Sequence, residues 1–407
     1  MIVVIGSYHI PEIGGCMGKK SGSGEVSRRD FLKLGAFSAT AAMGLTGAGG
    51  VLTSASGQVG TFPPSPVYRT LGRTGLRITV VSFGAMLTPE HEVMRAGFDL
   101  GVNYVDTARR YMNGRNEEIV GKAIQGIRDK LYIATKTRPS SSTKREIFED
   151  VETSLTKLKT DHVDVIQMHN LTSKERVFSQ EVREAYVELR KQGKVRFFGV
   201  TTHTNQAEVL HAVVDDPDKF FDTVLVGYNF TSAPEVKTAI KRAAAAGIGV
   251  IAMKTQAGGY KTGALGGLSP HQAALKWALD DPNVTAAIPG MKDMSMLRED
   301  MSVMGMKLTR KDEEILKRYG RAIRPYYCHM CGECEGTCPN HVAISTINRS
   351  LMYAEGYGNR ELARSTYYEV PPAARASACI GCSVCTARCV NGLDIASKMR
   401  TALKMYA

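Results

Sequence analysis

Residues 131–169 read LYIATKTRPSSSTKREIFEDVETSLTKLKTDHVDVIQMH, and this stretch holds a complete strand–helix–strand unit. Leu131–Thr137 and Val163–His169 are short runs carrying β-branched residues. Between them, Lys144–Lys159 places Ile147, Val151, Leu155 and Leu158 at helical spacing. The same alternation extends in both directions, with strands expected at Thr79–Gly84, Val102–Thr107, Val195–Thr201, Thr223–Asn229, Gly249–Thr255 and Thr285–Pro289. Each interval has room for one crossover helix. Eight parallel units of this size predict an α/β fold, a (β/α)8 TIM barrel of about 240 residues. A doubly wound open sheet would want a Gly-x-Gly-x-x-Gly turn after an early strand, and none is present.

In such a barrel the C-terminal strand ends carry the chemistry, so polar residues there converge although they are distant in sequence. Asp106 ends the second expected strand and Tyr111 follows in its loop; Lys136 ends the third, and His169 closes the fourth. A tyrosine is a poor acid near neutrality at its reference pKa of about 10. A lysine ammonium beside it is expected to lower that value, with an aspartate keeping the lysine charged and in place. A histidine can orient a carbonyl oxygen. The set suits protonation of that oxygen while a hydride arrives at its carbon. Singly, Asp106 could be a loop cap, Lys136 a salt-bridge partner and His169 a core histidine.

These residues lie in segments that resemble the aldo-keto reductase family. Tyr68-Arg69-Thr70-Leu71-Gly72-Arg73-Thr74-Gly75-Leu76 is similar to its opening hairpin. Gly101-Val102-Asn103-Tyr104-Val105-Asp106-Thr107-Ala108, followed by Tyr111 and Gly114-Arg115-Asn116-Glu117, resembles its Asp/Tyr motif, and Ile133-Ala134-Thr135-Lys136 and Val163–His169 resemble its lysine and histidine strands. The likeness runs over residues 67–305. It implies Tyr111 as general acid, Lys136 and Asp106 as its tuners, and His169 as substrate orienter, acting on a small carbonyl or alcohol compound. It also implies NAD(P)H, gripped by the later strands. Thr201-Thr202 stands where the family has Ser-Asn, and Leu225 where it has a glutamine. Tyr228 keeps the aromatic position that stacks on nicotinamide. Ile288-Pro289-Gly290 resembles the phosphate turn, with Lys292 and Arg298 the remaining cations and Asp300 in place of an asparagine.

Eight of the nine cysteines form two matching runs: Cys328-x2-Cys331-x2-Cys334-x3-Cys338-Pro339 and Cys379-x2-Cys382-x2-Cys385-x3-Cys389. Three thiolates at intervals of three wrap one face of a cubane, and in two-cluster ferredoxins the fourth ligates the other cluster. The runs therefore predict two [4Fe–4S] clusters. Zinc sites space their cysteines as two separated pairs instead. Helical patterns at Ala343–Tyr353 and Asn359–Tyr367 make the second domain, residues 321–407, a mostly helical ferredoxin-like one. Lys307–Arg318 is expected to close the barrel, residues 67–320. Nicotinamide gives up two electrons together whereas a cluster takes one, so a splitting cofactor or a redox partner protein or electron carrier is implied.

Upstream, Ser27-Arg28-Arg29-Asp30-Phe31-Leu32-Lys33 opens a Gly/Ala-rich, mildly apolar stretch. It resembles the twin-arginine (Tat) signal, an export address for folded proteins, which implies a periplasmic or otherwise extracytoplasmic location. Residues 1–56 form this signal region, with Met17 a candidate true start that would leave Cys16 outside the protein, and residues 57–66 read as a linker. No run approaches 18 uninterrupted apolar residues, so no membrane span is expected. The net charge of +12 is spread without a Lys/Arg run or nucleic-acid module, which argues against nucleic acid as a partner. Two alternatives remain open: an electron-transfer or interaction module with an inactive barrel, and a nicotinamide-dependent reductase with structural clusters.

Overall fold

The computed structural model describes residues 65–261 and 269–406, so the signal region and most of the linker lie outside the described residues. An antiparallel hairpin, β1 (Tyr68–Thr70) and β2 (Arg77–Thr79), opens the domain. Eight strands follow in parallel, each paired with its neighbour in sequence: β3 (Phe83–Gly84), β4 (Tyr104–Asp106), β5 (Tyr132–Lys136), β6 (Val163–Met168), β7 (Val195–Thr202), β8 (Thr223–Gly227), β9 (Gly249–Met253) and β10 (Ala286–Ala287). Parallel bridges Val81–Ala287 and Gly84–Gly290 close the ring. The (β/α)8 barrel expected from the alternation is present, and the last seven strands end within two residues of their expected bounds. The first does not. The Ser82 hydroxyl donates to Thr79 O at 2.6 Å and curls the chain, so Thr79 stays in the hairpin and β3 starts at Phe83.

The hairpin forms the floor. Leu71, Leu76 and Ile78 pack into one buried cluster with the inward side chains Tyr104, Ala134, Val165, Leu225, Ile251 and Ala286. The fit requires glycine at two facing positions. A Cβ on Gly72, which has φ of +49°, would lie 2.3 Å from Gly249 N, and one on Gly249 would lie 2.5 Å from the Leu71 side chain. Around the ring the helices bury the stripes that their spacing implies. In Lys144–Leu158, Ile147, Val151, Leu155 and Leu158 are buried, and Thr143 and Glu146 form a reciprocal capping box at its start.

The helix Arg310–Ile323 leads into a helical region built from Ile344–Glu355, Arg360–Tyr367 and Ile395–Tyr406, with no strand among its described residues. Its core is continuous with the barrel. Ala257 and Tyr260, from the segment after β9, share one buried cluster with Tyr327, Ile347, Leu351, Met352 and Tyr353. Polar contacts reach the loops after four strands: Asn113 Nδ2 donates to Glu361 Oε1 (2.7 Å), Arg349 Nη1 to Asn170 Oδ1 (3.2 Å), Asn229 Nδ2 to Tyr327 OH (2.9 Å) and Tyr260 OH to Tyr326 O (3.3 Å). A Cβ on Gly356 would lie 2.1 Å from Gly258 O, so the end of the helix Ile344–Glu355 rests directly on the barrel backbone. These loops all leave C-terminal strand ends, and the cysteine-bearing region therefore roofs the mouth of the barrel. Among the described residues no helix is long and apolar enough to cross a membrane.

Candidate active site and cluster site

Strand ends bring the four expected catalytic residues together. Lys136, at the end of β5, forms an ion pair with Asp106 at the end of β4 and donates to Thr107 O at 2.7 Å. Gln167 Nε2, on β6, donates to the other Asp106 oxygen at 2.8 Å. Both members of the pair are buried, at 2% and 1% exposure for Asp106 and Lys136. Tyr111 lies over this pair, with Lys136 Nζ 4.7 Å from its ring centroid. The His169 ring meets Tyr111 edge-on, centroids 5.9 Å apart at 83°. Behind them, Thr107, Asn116 and Ala85 O form a short hydrogen-bonded chain (2.7 and 2.8 Å), which fixes the loop that carries Tyr111.

The electrostatics depart from the sequence expectation in one respect. Burial, with the Asp106 charge second, raises the Tyr111 hydroxyl well above its ordinary value, and Arg349 is the cation that opposes the rise. Desolvation thus outweighs the expected lowering by Lys136. Tyr111 is a protonated donor at neutral pH. Burial and then the Lys136 charge lower His169 well below the usual histidine range, so it is a neutral imidazole. Burial also raises Asp106 and lowers Lys136, each offset by the other.

Asp106, Tyr111 and His169 line a cavity of about 80 Å³ together with Gly84, His203, Lys254, Gln256 and Gly290 of the barrel. The helical region closes it with Arg349, Tyr353, Tyr357 and Glu369. Backbone strain gathers here. Met112, Asn113, Asn170, Asn205, Lys254 and Ala257, all in loops at the C-terminal strand ends, have positive φ between 46° and 59°. Leu87, Gln256, Gly290 and Tyr357 also line an adjoining cavity of about 910 Å³, bordered by Lys261, Lys292, Asp293, Glu299, Asp300 and Glu355.

Among the positions expected to grip a dinucleotide, Gly290 and Lys292 face these cavities and Arg298 lies on the nearby helix Met294–Met301. Thr201, Thr202 and Tyr228 do not line them. Thr201 Oγ1 accepts from Asn170 N (2.7 Å), and Thr202 Oγ1 donates to Thr204 O (2.7 Å). The Tyr228 hydroxyl donates to Asp281 Oδ2 (2.8 Å), and its ring packs 4.9 Å from Trp277. The larger cavity has dinucleotide dimensions, yet its charged lining holds more carboxyls than cations. Burial raises Asp300 well above the carboxylate range, so it favours the protonated form, and its Oδ2 has no hydrogen-bond partner. Of the expected grip, Gly290 and Lys292 thus face the cavities, whereas Thr201, Thr202 and Tyr228 do not line them. Sequence reasoning missed Lys254, Arg349 and His203. Lys254 stands at a strand end, as Lys136 does, which was a usable signal; Arg349 gave none.

The eight cysteines among the described residues fall in two groups that exchange their fourth members. Burial pushes the Cys328 thiol up to about 12, and Cys334, Cys331 and Cys389 are the thiols that add to the rise. Burial likewise raises Cys379, with Cys338, Cys382 and Cys385 adding. Cys338, Cys379, Cys382 and Cys385 line a cavity of about 190 Å³. Among the described residues no three His, Cys, Asp or Glu side chains are placed to hold a single metal ion. Asn340 Nδ2 donates to Cys382 Sγ at 3.2 Å and Met330 N to Cys328 Sγ at 3.4 Å. The first group abuts the barrel: a Cβ on Gly332 would lie 2.4 Å from Asn205 Oδ1. The second is outward, with Cys382 exposed beside Ile380 and Val384, exposed at 77% and 72%.

Comparison with known proteins agrees with this division. Residues 88–265 match the aldo/keto reductase family and residues 320–393 the 4Fe-4S dicluster domain. An uncharacterised oxidoreductase of Bacillus subtilis is 36% identical over 149 residues, 33% of this chain and 48% of that protein. A methylglyoxal reductase of Escherichia coli is 35% identical over 28% of this chain and 38% of its own length. A putative voltage-gated potassium channel subunit beta of Schizosaccharomyces pombe is 33% identical, over 37% and 49%. The chain thus spans about half the length or less of these relatives. Among solved structures, an aldo-keto reductase of Klebsiella pneumoniae in complex with NADPH is similar at a TM-score of 0.53 and 25% identity, covering 62% of this chain and 95% of that one. Residues 88–265 are thus similar to the aldo/keto reductase family and residues 320–393 to the 4Fe-4S dicluster domain.

Proposed function

We propose that this chain is an oxidoreductase that interconverts a small carbonyl compound and its alcohol at Tyr111, with electrons passing through the cysteine-bearing region. The observation that carries the proposal is the roofed cavity, in which a protonated Tyr111 and a neutral His169 face a closure made by the helices that follow the first cysteine run. Tyr111 holds the proton that the substrate oxygen takes up on reduction. His169 hydrogen-bonds and orients that oxygen. Lys136, locked by Thr107 O and by Asp106, which Gln167 holds in turn, fixes the tyrosine ring and supports charge that develops on the phenol oxygen. The roof excludes bulk water. The two thiol sets, Cys328/Cys331/Cys334/Cys389 and Cys338/Cys379/Cys382/Cys385, would hold one [4Fe–4S] cluster each. Loaded clusters would exchange single electrons, whereas the interconversion takes an electron pair and two protons; Tyr111 gives the proton to oxygen, and the pair would reach carbon with its hydrogen as a hydride from an organic carrier that the clusters recharge one electron at a time. The exposed apolar residues around Cys382 suit docking of a redox partner. No step is routed through a nicotinamide. Export by the Tat route, supported by Ser27–Lys33, belongs to the same proposal.

A second reading is favoured by the inward turn of Tyr228 to Asp281: an electron-transfer module whose barrel has lost turnover. Dye-linked assays on anaerobically purified protein, over a panel of small carbonyl compounds and alcohols, separate the two. Turnover that Tyr111→Phe abolishes, with cluster absorption unchanged, supports the enzyme. Turnover that survives the substitution sinks the assigned role of Tyr111, and no turnover with any compound favours the module.

A further inference from the structure

The cavity over Tyr111 is lined by more basic side chains than carboxylates. Asp106 is matched by Lys136. Glu369 is shared between Arg110 and Arg349, at 3.2 Å from each. Lys254 has no carboxylate partner among the described residues; its ammonium rests on the rings of Tyr353, 4.5 Å from the centroid, and Tyr357, at 5.2 Å. It stands on strained backbone, φ +59°, which keeps it at the cavity wall. Three nitrogens of cavity-lining residues, Arg349 Nε, His169 Nδ1 and His203 Nδ1, are buried without a hydrogen-bond partner. Arg349 and His203 are themselves 4% and 6% exposed. Buried polar nitrogens without partners, and a lysine without a carboxylate, beside a closed polar cavity are costly unless an anion enters.

We propose that the substrate carries a carboxylate, held by Lys254 of the barrel and Arg349 of the roof, so that the site takes a small oxo acid or hydroxy acid. The inference rests on the reading of Tyr111 as the acid at this cavity and adds the substrate class. The cavity volume of about 80 Å³ suits a molecule of few heavy atoms. The roof closes the site and also supplies half of its anion grip. Burial, with Arg349 and Lys136 adding, pulls Lys254 well below the usual lysine range, and a bound carboxylate would restore its charge. A pyrophosphate reaching in from the adjoining cavity is the other source of the same anionic chemistry.

Calorimetric titration of the anaerobic, cluster-loaded protein tests this with lactate and pyruvate, the uncharged lactamide and pyruvamide, and ADP as the pyrophosphate probe. A carboxylate should bind about 30-fold or more tighter than its amide, and Lys254→Met should collapse that ratio while Lys254→Arg retains it. Tyr111→Phe should keep the ratio, so failure of the acid role and failure of the anion site are separable. Cluster absorption reports whether each variant is folded. Equal affinity for acid and amide, a preference that survives Lys254→Met, no saturable carboxylate binding at millimolar concentration, or Lys254-dependent binding of ADP alone would each overturn the proposal.

Discussion

Removing Lys136 tests whether the base of the site is held by a buried ion pair or by packing alone. Lys136→Met leaves Asp106, 2% exposed, with Gln167 as its remaining side-chain donor. Asp106→Asn leaves the Lys136 ammonium with Thr107 O and no counter-charge. Breaking one side of a buried pair costs about 3–5 kcal/mol, whereas replacing both sides is close to neutral. Both groups can shed charge, since burial already raises Asp106 and lowers Lys136, so each single variant should lose about 3 kcal/mol, the lower end. The double variant should fall within about 1 kcal/mol of the parent. Urea unfolding of the anaerobic protein, followed by far-ultraviolet circular dichroism, measures all four corners of the cycle. Single variants at parental stability, or a double variant that loses the sum of both, would refute the argument.

Further outcomes follow from the same contacts. Burial lowers His169 and His203 well below 6.5 in the folded chain, whereas in the unfolded chain they take up protons near 6.5. Their stabilisation is therefore complete above that pH and is lost as pH falls below it, by up to about 1.4 kcal/mol per pH unit for each residue. His203→Gln should reduce that slope by one residue's share in urea titrations between neutral and mildly acid pH, and an unchanged slope would contradict the assignment. Cys338→Ser should release the cluster held with Cys379, Cys382 and Cys385 and spare the other. Iron content should fall by half, and loss of the cluster at Cys328, Cys331 and Cys334 instead would contradict the crossover. Lysine at both Arg28 and Arg29 should retain the precursor inside the cell on fractionation; unchanged export would remove the Tat reading.

The barrel was legible because its signal is local. β-Branched runs and the spacing of Ile147, Val151, Leu155 and Leu158 report burial whatever the partner. Asp106, Lys136 and His169 were legible because strand ends converge in any closed parallel barrel. The acidity of Tyr111 was misjudged, since its direction depends on how much water the roof removes, and the roof is contributed more than 200 residues later by Arg349, Tyr353 and Glu369. The orientation of Tyr228 was hidden for a similar reason. Its partners Asp281 and Trp277 come from another unit of the barrel, and no local pattern announces them. Lys254 looks like any lysine until Tyr353 and Tyr357 are seen to face it. The cysteine runs were readable as cluster ligands, but their position over the barrel mouth was not, because the docking depends on close backbone contacts such as Gly356 on Gly258.

The central claim is that Tyr111 protonates a substrate reduced by electrons from the roof, and one rapid-mixing experiment addresses it. Clusters reduced beforehand are mixed anaerobically with a carbonyl compound that the parent protein turns over, and cluster absorption is followed. The account predicts reoxidation at the turnover rate in the parent and a loss of about a hundredfold or more in Tyr111→Phe. Equal reoxidation rates in the two proteins, or clusters that stay reduced while the parent forms product, would contradict it.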